Sequence, residues 1–186
     1  LTPTAFIQST HNTVGAQIAL LLKCHNYNNT FVHRGFSFES ALLDAITLIK
    51  EEEISTALVG GVDEITPVSH AILSRFGLYR KEHTNSAALL NTPGKGTMAG
   101  EGALFFALSA SPSGNDCAKL DDIYTFYKPA DRGAVKEQIL SFLQRNRLAV
   151  KDIDLVITGE NGDVAGDAVY TALKTGVWGN TPAISF

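Results

Sequence analysis

Hydrophobic and polar positions along this chain keep two rhythms, and the clearest helical one lies between Asn28 and Glu51. Phe38, Ala41, Leu42, Ala45, Ile46, Leu48 and Ile49 follow the i, i+3, i+4, i+7 spacing of a helix that buries one face. Just before it, Thr30-Phe31-Val32 predicts a short extended run, and His33-Arg34-Gly35 a tight turn. A strand–turn–helix of this kind aims free backbone N–H groups and the positive end of the helix dipole at the turn. Enzymes often hold a nucleophile at such a place.

The remaining pattern alternates strands with helices. Residues 1–9 read as a loop. His11 to Cys24 reads as a helix with apolar Val14, Ile18, Ala19, Leu21 and Leu22, capped by Thr10 or Asn12. Residues 56–62 (TALVGGV) read as a strand apolar on both faces, as in a sheet covered by helices on both sides. Residues 65–101 have no clean period; a short helix over 69–78 interrupts polar, glycine-rich loop, and so long an irregular stretch is usually functional or mobile. Residues 103–109 and 121–127 read as an antiparallel hairpin or edge around the turn at 111–116. A helix over Ala134 to Asn146, a buried strand over 152–158, a tight turn at 159–163, a helix over 164–176 ending at Gly176 and a last strand at 181–186 complete the chain. This order predicts a layered α/β fold with a mostly parallel sheet. ALVGGVDE and LVITGENGD both run a buried strand into a Gly/acid turn, which suggests two related halves.

Composition changes this picture little. The 186 residues are 45% hydrophobic and 18% charged with a net charge of −4, as expected of a globular protein with a real core. No basic tract points to nucleic acid, no apolar run reaches membrane-spanning length, and no segment reads as a signal peptide, so the expected location is the cytoplasm. Cys24 and Cys117 are expected to be free thiols, Cys24 a buried structural one. The chain begins with Leu1 and ends within the apolar run 183–186, so it reads as a piece of a longer protein.

The candidate chemistry is sparse. The five histidines (11, 25, 33, 70 and 83) show no HExxH or CxxC spacing, so no metal site is expected. Lys95 in Pro93-Gly94-Lys95-Gly96 resembles a phosphate loop only superficially, lacking GxxxxGK[ST], and reads as a mobile loop. Gly35-Phe36-Ser37-Phe38-Glu39 nearly matches the hydrolase elbow Gly-x-Ser-x-Gly. Its fifth residue is Glu, however, and Asp63 or Glu64 followed by His70 or His83 would make a cramped triad; helix capping is the stronger reading of Ser37. Glu51, Glu52 and Glu53 read as a solvated helix end.

Four stretches together carry a family resemblance: PTAFIQSTHNTVGAQIA (3–19), SALLDAITLIKEEEISTALVGGVDE (40–64), GEGALFFALSA (100–110) and ITGENGDVAGDAVYTALKT (157–175). In order and spacing they resemble the β-ketoacyl synthases, most closely short divergent members that look like chain length factors. The resemblance implies a thiolase-like layered α-β-α-β-α fold with mixed sheets, incomplete at both ends. It implies an N-terminal half over 1–110 and the beginning of a C-terminal half over 111–186. It implies a homodimer, or a heterodimer with a catalytic ketoacyl synthase, paired through the strand before the nucleophile. Substrates would be acyl phosphopantetheine thioesters of fatty acid or polyketide biosynthesis, delivered by an acyl carrier protein, with no cofactor bound by the chain itself. The chemistry would be a decarboxylative Claisen condensation, with a Cys thiolate at the helix N-terminus and two histidines, or a His and an Asn, stabilising the enolate and thioester oxyanions.

Carried onto this chain, the resemblance finds those positions vacated. Counting back from Gly60-Gly61 puts the nucleophile position on Gly35, and counting back from Gly166-Asp167 puts the first histidine on Gly159. The family's His-Gly-Thr turn is replaced by Gly159-Glu160-Asn161-Gly162-Asp163, and LLNTPGKGTMA (89–99) departs from the usual Arg-Asp-Gly-Phe pattern. Candidate tunnel or substrate contacts are His33, Arg34, Phe36, Ser37, Glu160 and Asn161. Three functions are expected in descending order: a non-catalytic subunit shaping a partner's acyl tunnel, an active synthase or acyltransferase with atypical groups, and a catalytically silent homodimeric binding module.

Overall fold

A computed structural model describes residues 2–8, 10–33, 35–82 and 85–185. The chain forms two compact units, each built from two stretches: Leu1–Val62 with Gly102–Thr125, and Asp63–Glu101 with Phe126–Phe186.

In the first unit, α1 (Pro3–Gln8) leads into α2 (Thr13–Leu21), so the opening residues are not the expected loop. Asn12 precedes α2 without a side-chain cap; the entry is tied instead by Thr10 Oγ1 to Thr13 Oγ1 (3.1 Å) and by the Thr13 hydroxyl donating to the Ile7 carbonyl. The central helix α3 (Ser37–Lys50) carries the apolar stripe seen in the sequence and buries Ala45. It ends at Glu51, where Glu52 takes φ +59° and Glu53 N–H returns to the Leu48 carbonyl, a Schellman closure. The three glutamates are exposed, as expected.

β1 (Thr56–Asp63) pairs with β2 (Gly102–Ser109). Ala110 N–H donates to the Ser55 carbonyl at 3.1 Å, and Phe105 lies over Gly60, so the two strands run antiparallel. Phe38 of α3 meets Phe106 of β2 with ring centroids 6.0 Å apart, and Val59 is buried. Leu58 and Val62 on the opposite face remain about half exposed, at 50% and 45%. The expectation of a strand buried on both faces is therefore not met: α3 covers one face only.

Two expected strands are not formed. Residues 30–32 and 121–127 carry strand-like composition but take no ladder among the described residues. A strand is completed by its partner's N–H and C=O groups, and β2, the expected hairpin partner of 121–127, pairs with β1 in a two-stranded sheet.

In the second unit, α4 (Pro67–Arg75) starts two residues before the predicted helix. Thr66 and Ser69 form a reciprocal capping box and Pro67 occupies the first turn, which explains the earlier start. Helix α5 (Arg132–Arg145) is capped by Asp131, which accepts from Ala134 N–H at 2.8 Å, and buries Val135 and Leu143. It packs against α6 (Val164–Leu173), whose Leu173 is buried. β3 (Val156–Thr158) and β4 (Ala183–Ser185), joined through α6, pair in parallel with Val156 opposite Ala183. The predicted buried strand over 152–158 is thus shorter, and its Ile157 is exposed at 61%. The helix does not stop at Gly176; it continues as a wide turn over Lys174–Trp178 to Gly179 at φ +56°. No helix among the described residues is long and apolar enough to cross a membrane.

Candidate functional site

The turn before α3 closes on itself. Ser37 Oγ accepts from His33 N–H at 2.7 Å and donates to the His33 carbonyl at 2.6 Å. The His33 ring stacks on Phe36 with centroids 5.5 Å apart, and its Nδ1 accepts from Gly35 N–H (3.3 Å) and Phe36 N–H (3.2 Å). The amides at the start of a helix are the donors that would stabilise a thiolate or an oxyanion. Here two of them are turned onto a neighbouring imidazole. A Cβ built on Gly35 would meet nothing within 4 Å, so the position has room for a side chain.

These contacts sort the predicted residues. Ser37 bonds to the His33 peptide, so it neither caps α3, whose N-cap is Phe36 without a side-chain cap, nor presents a hydroxyl paired with a histidine ring. Arg34 and His83 lie outside the described residues. Cys24 is exposed, contrary to the expected buried thiol, and both cysteines are free. The Cys24 N–H closes α2 on the Ala19 carbonyl, and the apolar residues just before it, Leu21 and Leu22, are exposed as well, so nothing covers this end of the helix among the described residues.

The second predicted position lies at the end of β3. Thr158 is buried, and its hydroxyl lies 2.8 Å from Glu160 Oε2 and 3.3 Å from the Ile184 carbonyl. Gly159 follows, and the hydroxyl of Tyr170 on α6 stands 3.0 Å from where its Cβ would lie. The turn then runs into a clasp. Asp167 in the first turn of α6 accepts from Asn161 N–H (3.0 Å) and Gly162 N–H (2.7 Å). Asp163 caps the same helix, accepting from Gly166 N–H at 2.9 Å, while its other oxygen accepts from Gly96 N–H at 2.7 Å. Those two backbone donors, Gly96 first, hold the Asp163 carboxyl below the usual aspartate range, with smaller help from the charges of Arg80 and Lys95.

The clasp joins three sequence-distant pieces. Gly94 N–H donates to the Gly162 carbonyl (3.0 Å) and Val164 N–H to the Gly94 carbonyl (2.9 Å). Thr97 Oγ1 donates to the Asn161 carbonyl at 2.8 Å. Arg80 donates to the carbonyls of Gly96 (3.0 Å), Thr92 and Gly162. The loop around Lys95 is therefore a bonded element, contrary to the mobile loop expected from its glycines. Gly162 sits at φ +81° with Leu89 and Arg80 against it. Gly96 sits at φ +79° with the Leu78 carbonyl 2.9 Å from where a Cβ would lie, so both positions need glycine.

Sequence reasoning named Glu160 and Asn161 but missed Asp163, Asp167, Tyr170 and Arg80. Asp163 and Asp167 had a legible signal, an N-cap residue and an acid in the first helical turn. Arg80 had none, since its partners lie up to 82 residues away. Among the described residues no group of three or more His, Cys, Asp or Glu side chains is placed to hold a metal ion.

Residues 2–111 match the family model of the β-ketoacyl synthase N-terminal domain. No curated protein matches the chain significantly. Among solved structures, the chain is similar to a ketosynthase (ApeO) in complex with its chain length factor (ApeC) from Xenorhabdus doucetiae, with 17% identity and a TM-score of 0.72 over 97% of this chain and 46% of that one. It is similar to a β-ketoacyl synthase from Burkholderia phymatum STM815, with 15% identity and a TM-score of 0.69 over 100% of this chain and 49% of that one. It is also similar to the ishigamide ketosynthase/chain length factor, with 18% identity and a TM-score of 0.64 over 95% of this chain and 46% of that one. The chain spans about half the length of these structures. At such identities the likeness is one of fold, and that fold is the thiolase-like ketosynthase fold.

Proposed function

This chain belongs to the β-ketoacyl synthase family, and we propose that it acts there as a non-catalytic subunit, pairing with a ketosynthase that keeps its cysteine and shaping that partner's acyl tunnel. The carrying observation is the turn at Gly35. In the register set by Gly60-Gly61, the residue presented at the nucleophile position has no side chain, and the N–H groups of Gly35 and Phe36 that would serve a thiolate are accepted by His33 Nδ1. The other checkable position agrees: residue 159 is glycine, and the Tyr170 hydroxyl crowds the point where a histidine side chain would begin.

On this reading the substrate is an acyl chain on the phosphopantetheine arm of a carrier protein, and the chain binds no cofactor of its own. Two of the similar structures are ketosynthase and chain length factor assemblies, which supports a heterodimer over a silent homodimer. Co-expression with a cysteine-bearing ketosynthase from the same source tests the pairing. The two should co-purify at equal stoichiometry, and products of the pair should differ in length from those of the synthase alone. Condensation by this chain without a partner would overturn the reading.

A further inference from the structure

Asn161-Gly162 is the one Asn-Gly step in the sequence. Such steps deamidate spontaneously because glycine has no Cβ to obstruct its own backbone nitrogen. The Gly162 nitrogen attacks Asn161 Cγ, loses its proton and expels ammonia, closing a succinimide ring. Water opens that ring at either carbonyl to leave aspartate or isoaspartate. The balance is one water consumed and one ammonia released, with no oxidant, metal or enzyme required.

Each movement this reaction needs is restrained in the clasp. Asp167 Oδ2 holds the Gly162 N–H at 2.7 Å, and its Oδ1 holds the N–H of Asn161 at 3.0 Å. The Asn161 side-chain carbonyl accepts from Asp163 N–H at 3.1 Å, which fixes the amide that would be attacked. The Gly162 carbonyl is held by Gly94 N–H and by Arg80. Asn161 is exposed to water while Gly162 is buried, so the co-reactant is at hand and only the conformation is withheld.

We propose that Asn161-Gly162 is a latent self-modification site, kept silent by Asp167 while the clasp is closed, and that its deamidation opens the clasp for good. The new carboxylate at 161 would stand beside Asp163 and Asp167. Isoaspartate would also insert a methylene into the backbone, which misaligns the Asn161 carbonyl from Thr97 and the Gly162 carbonyl from Gly94. The loop at 94–97 would then lose two of its bonds to the turn. The reaction runs through the open fraction of the clasp, so its rate measures local opening. None of these steps depends on a role in acyl chemistry.

The test follows deamidation of the full chain at neutral pH by peptide mapping with mass spectrometry, with isoaspartate resolved by isoaspartyl methyltransferase labelling. Native wild type, wild type in urea and native Asp167→Asn are compared, with circular dichroism to check folding. Asn161 should react about tenfold or more slowly in native wild type than in urea, and Asp167→Asn should move the native rate toward the urea value. Should Asp167→Asn not fold, Arg80→Lys, which keeps Asp167 in place and weakens the hold on the Gly162 carbonyl, should give an intermediate rate. Equal rates in native and urea samples would overturn the proposal. So would a folded Asp167→Asn protein with an unchanged or slower rate, which would make Asp167 the base of the reaction instead of its guard.

Discussion

The hydroxyl of Tyr170 stands 3.0 Å from the point a Cβ on residue 159 would occupy, and the ring carbon behind it, Cζ, stands at 3.9 Å. The first distance is tighter than an ordinary contact and the second is not, so one oxygen atom decides what residue 159 can be. Gly159 does not take a positive φ, so its backbone accepts alanine. Gly159→Ala should cost about 1–2 kcal/mol by overpacking. In a Tyr170→Phe background it should be neutral, or stabilising by about 0.4–1 kcal/mol through lost chain entropy. Urea denaturation of the four proteins of this double-mutant cycle measures the coupling. An unchanged Gly159→Ala cost in the Tyr170→Phe background would show that another neighbour sets the limit.

The clasp predicts a pH dependence with a definite sign. The Asp163 carboxyl is lowered in the folded chain, first by Gly96 N–H and then by Gly166 N–H. The folded state therefore binds its proton less readily than the unfolded state. The stability it contributes is present above the ordinary aspartate value of about 3.9 and is lost as pH falls through that value toward the lowered one. Unfolding midpoints measured as pH is reduced should fall more steeply in wild type than in Asp163→Asn. Asp116, lowered by the backbone and side chain of Ser113, contributes the same background to both proteins. Equal slopes would show that Asp163 does not carry the effect.

How much of this was legible in the sequence depended on range. The stripe from Phe38 to Ile49, the strands around Gly60 and Phe105, and helices α5 and α6 follow from periodicity, because neighbours along the chain determine them. The segments at Thr30-Phe31-Val32 and Asp121 to Tyr127 have strand composition, but a ladder needs a partner that local composition does not name. The openness of Leu58, Val62 and Ile157 was hidden for a related reason: apolar character records what a residue can bury against, not whether this chain supplies it. Gly35 and Gly159 are singled out by counting from Gly60-Gly61 and Gly166-Asp167, a reading of the sequence alone. The contacts that fill or close those positions, Tyr170 and His33 Nδ1, needed coordinates, as did the reach of Arg80 to Gly162.

A stabilising substitution is expected at the end of α3. Glu52 takes φ +59°, a conformation glycine adopts without steric cost. It also places negative charge beside Glu51 and Glu53 at the negative end of the helix dipole. Glu52→Gly should raise stability by about 0.5–1 kcal/mol, since the strain and the repulsion relieved exceed the extra chain entropy of glycine. Thermal unfolding of the two proteins reads this directly, and a lower midpoint for Glu52→Gly would contradict it.

The central claim is that this chain carries the ketosynthase fold without its nucleophile, and covalent labelling tests it most directly. The chain is incubated with a radiolabelled acyl carrier protein thioester, alone and with a cysteine-bearing ketosynthase, and each polypeptide is assayed for bound label after denaturation. Label is expected on the partner and none on this chain. Gly35→Cys, for which the turn has room, should still give no condensation, because Gly159 supplies no imidazole. A stable acyl adduct on the wild-type chain, or turnover recovered by Gly35→Cys alone, would contradict the claim.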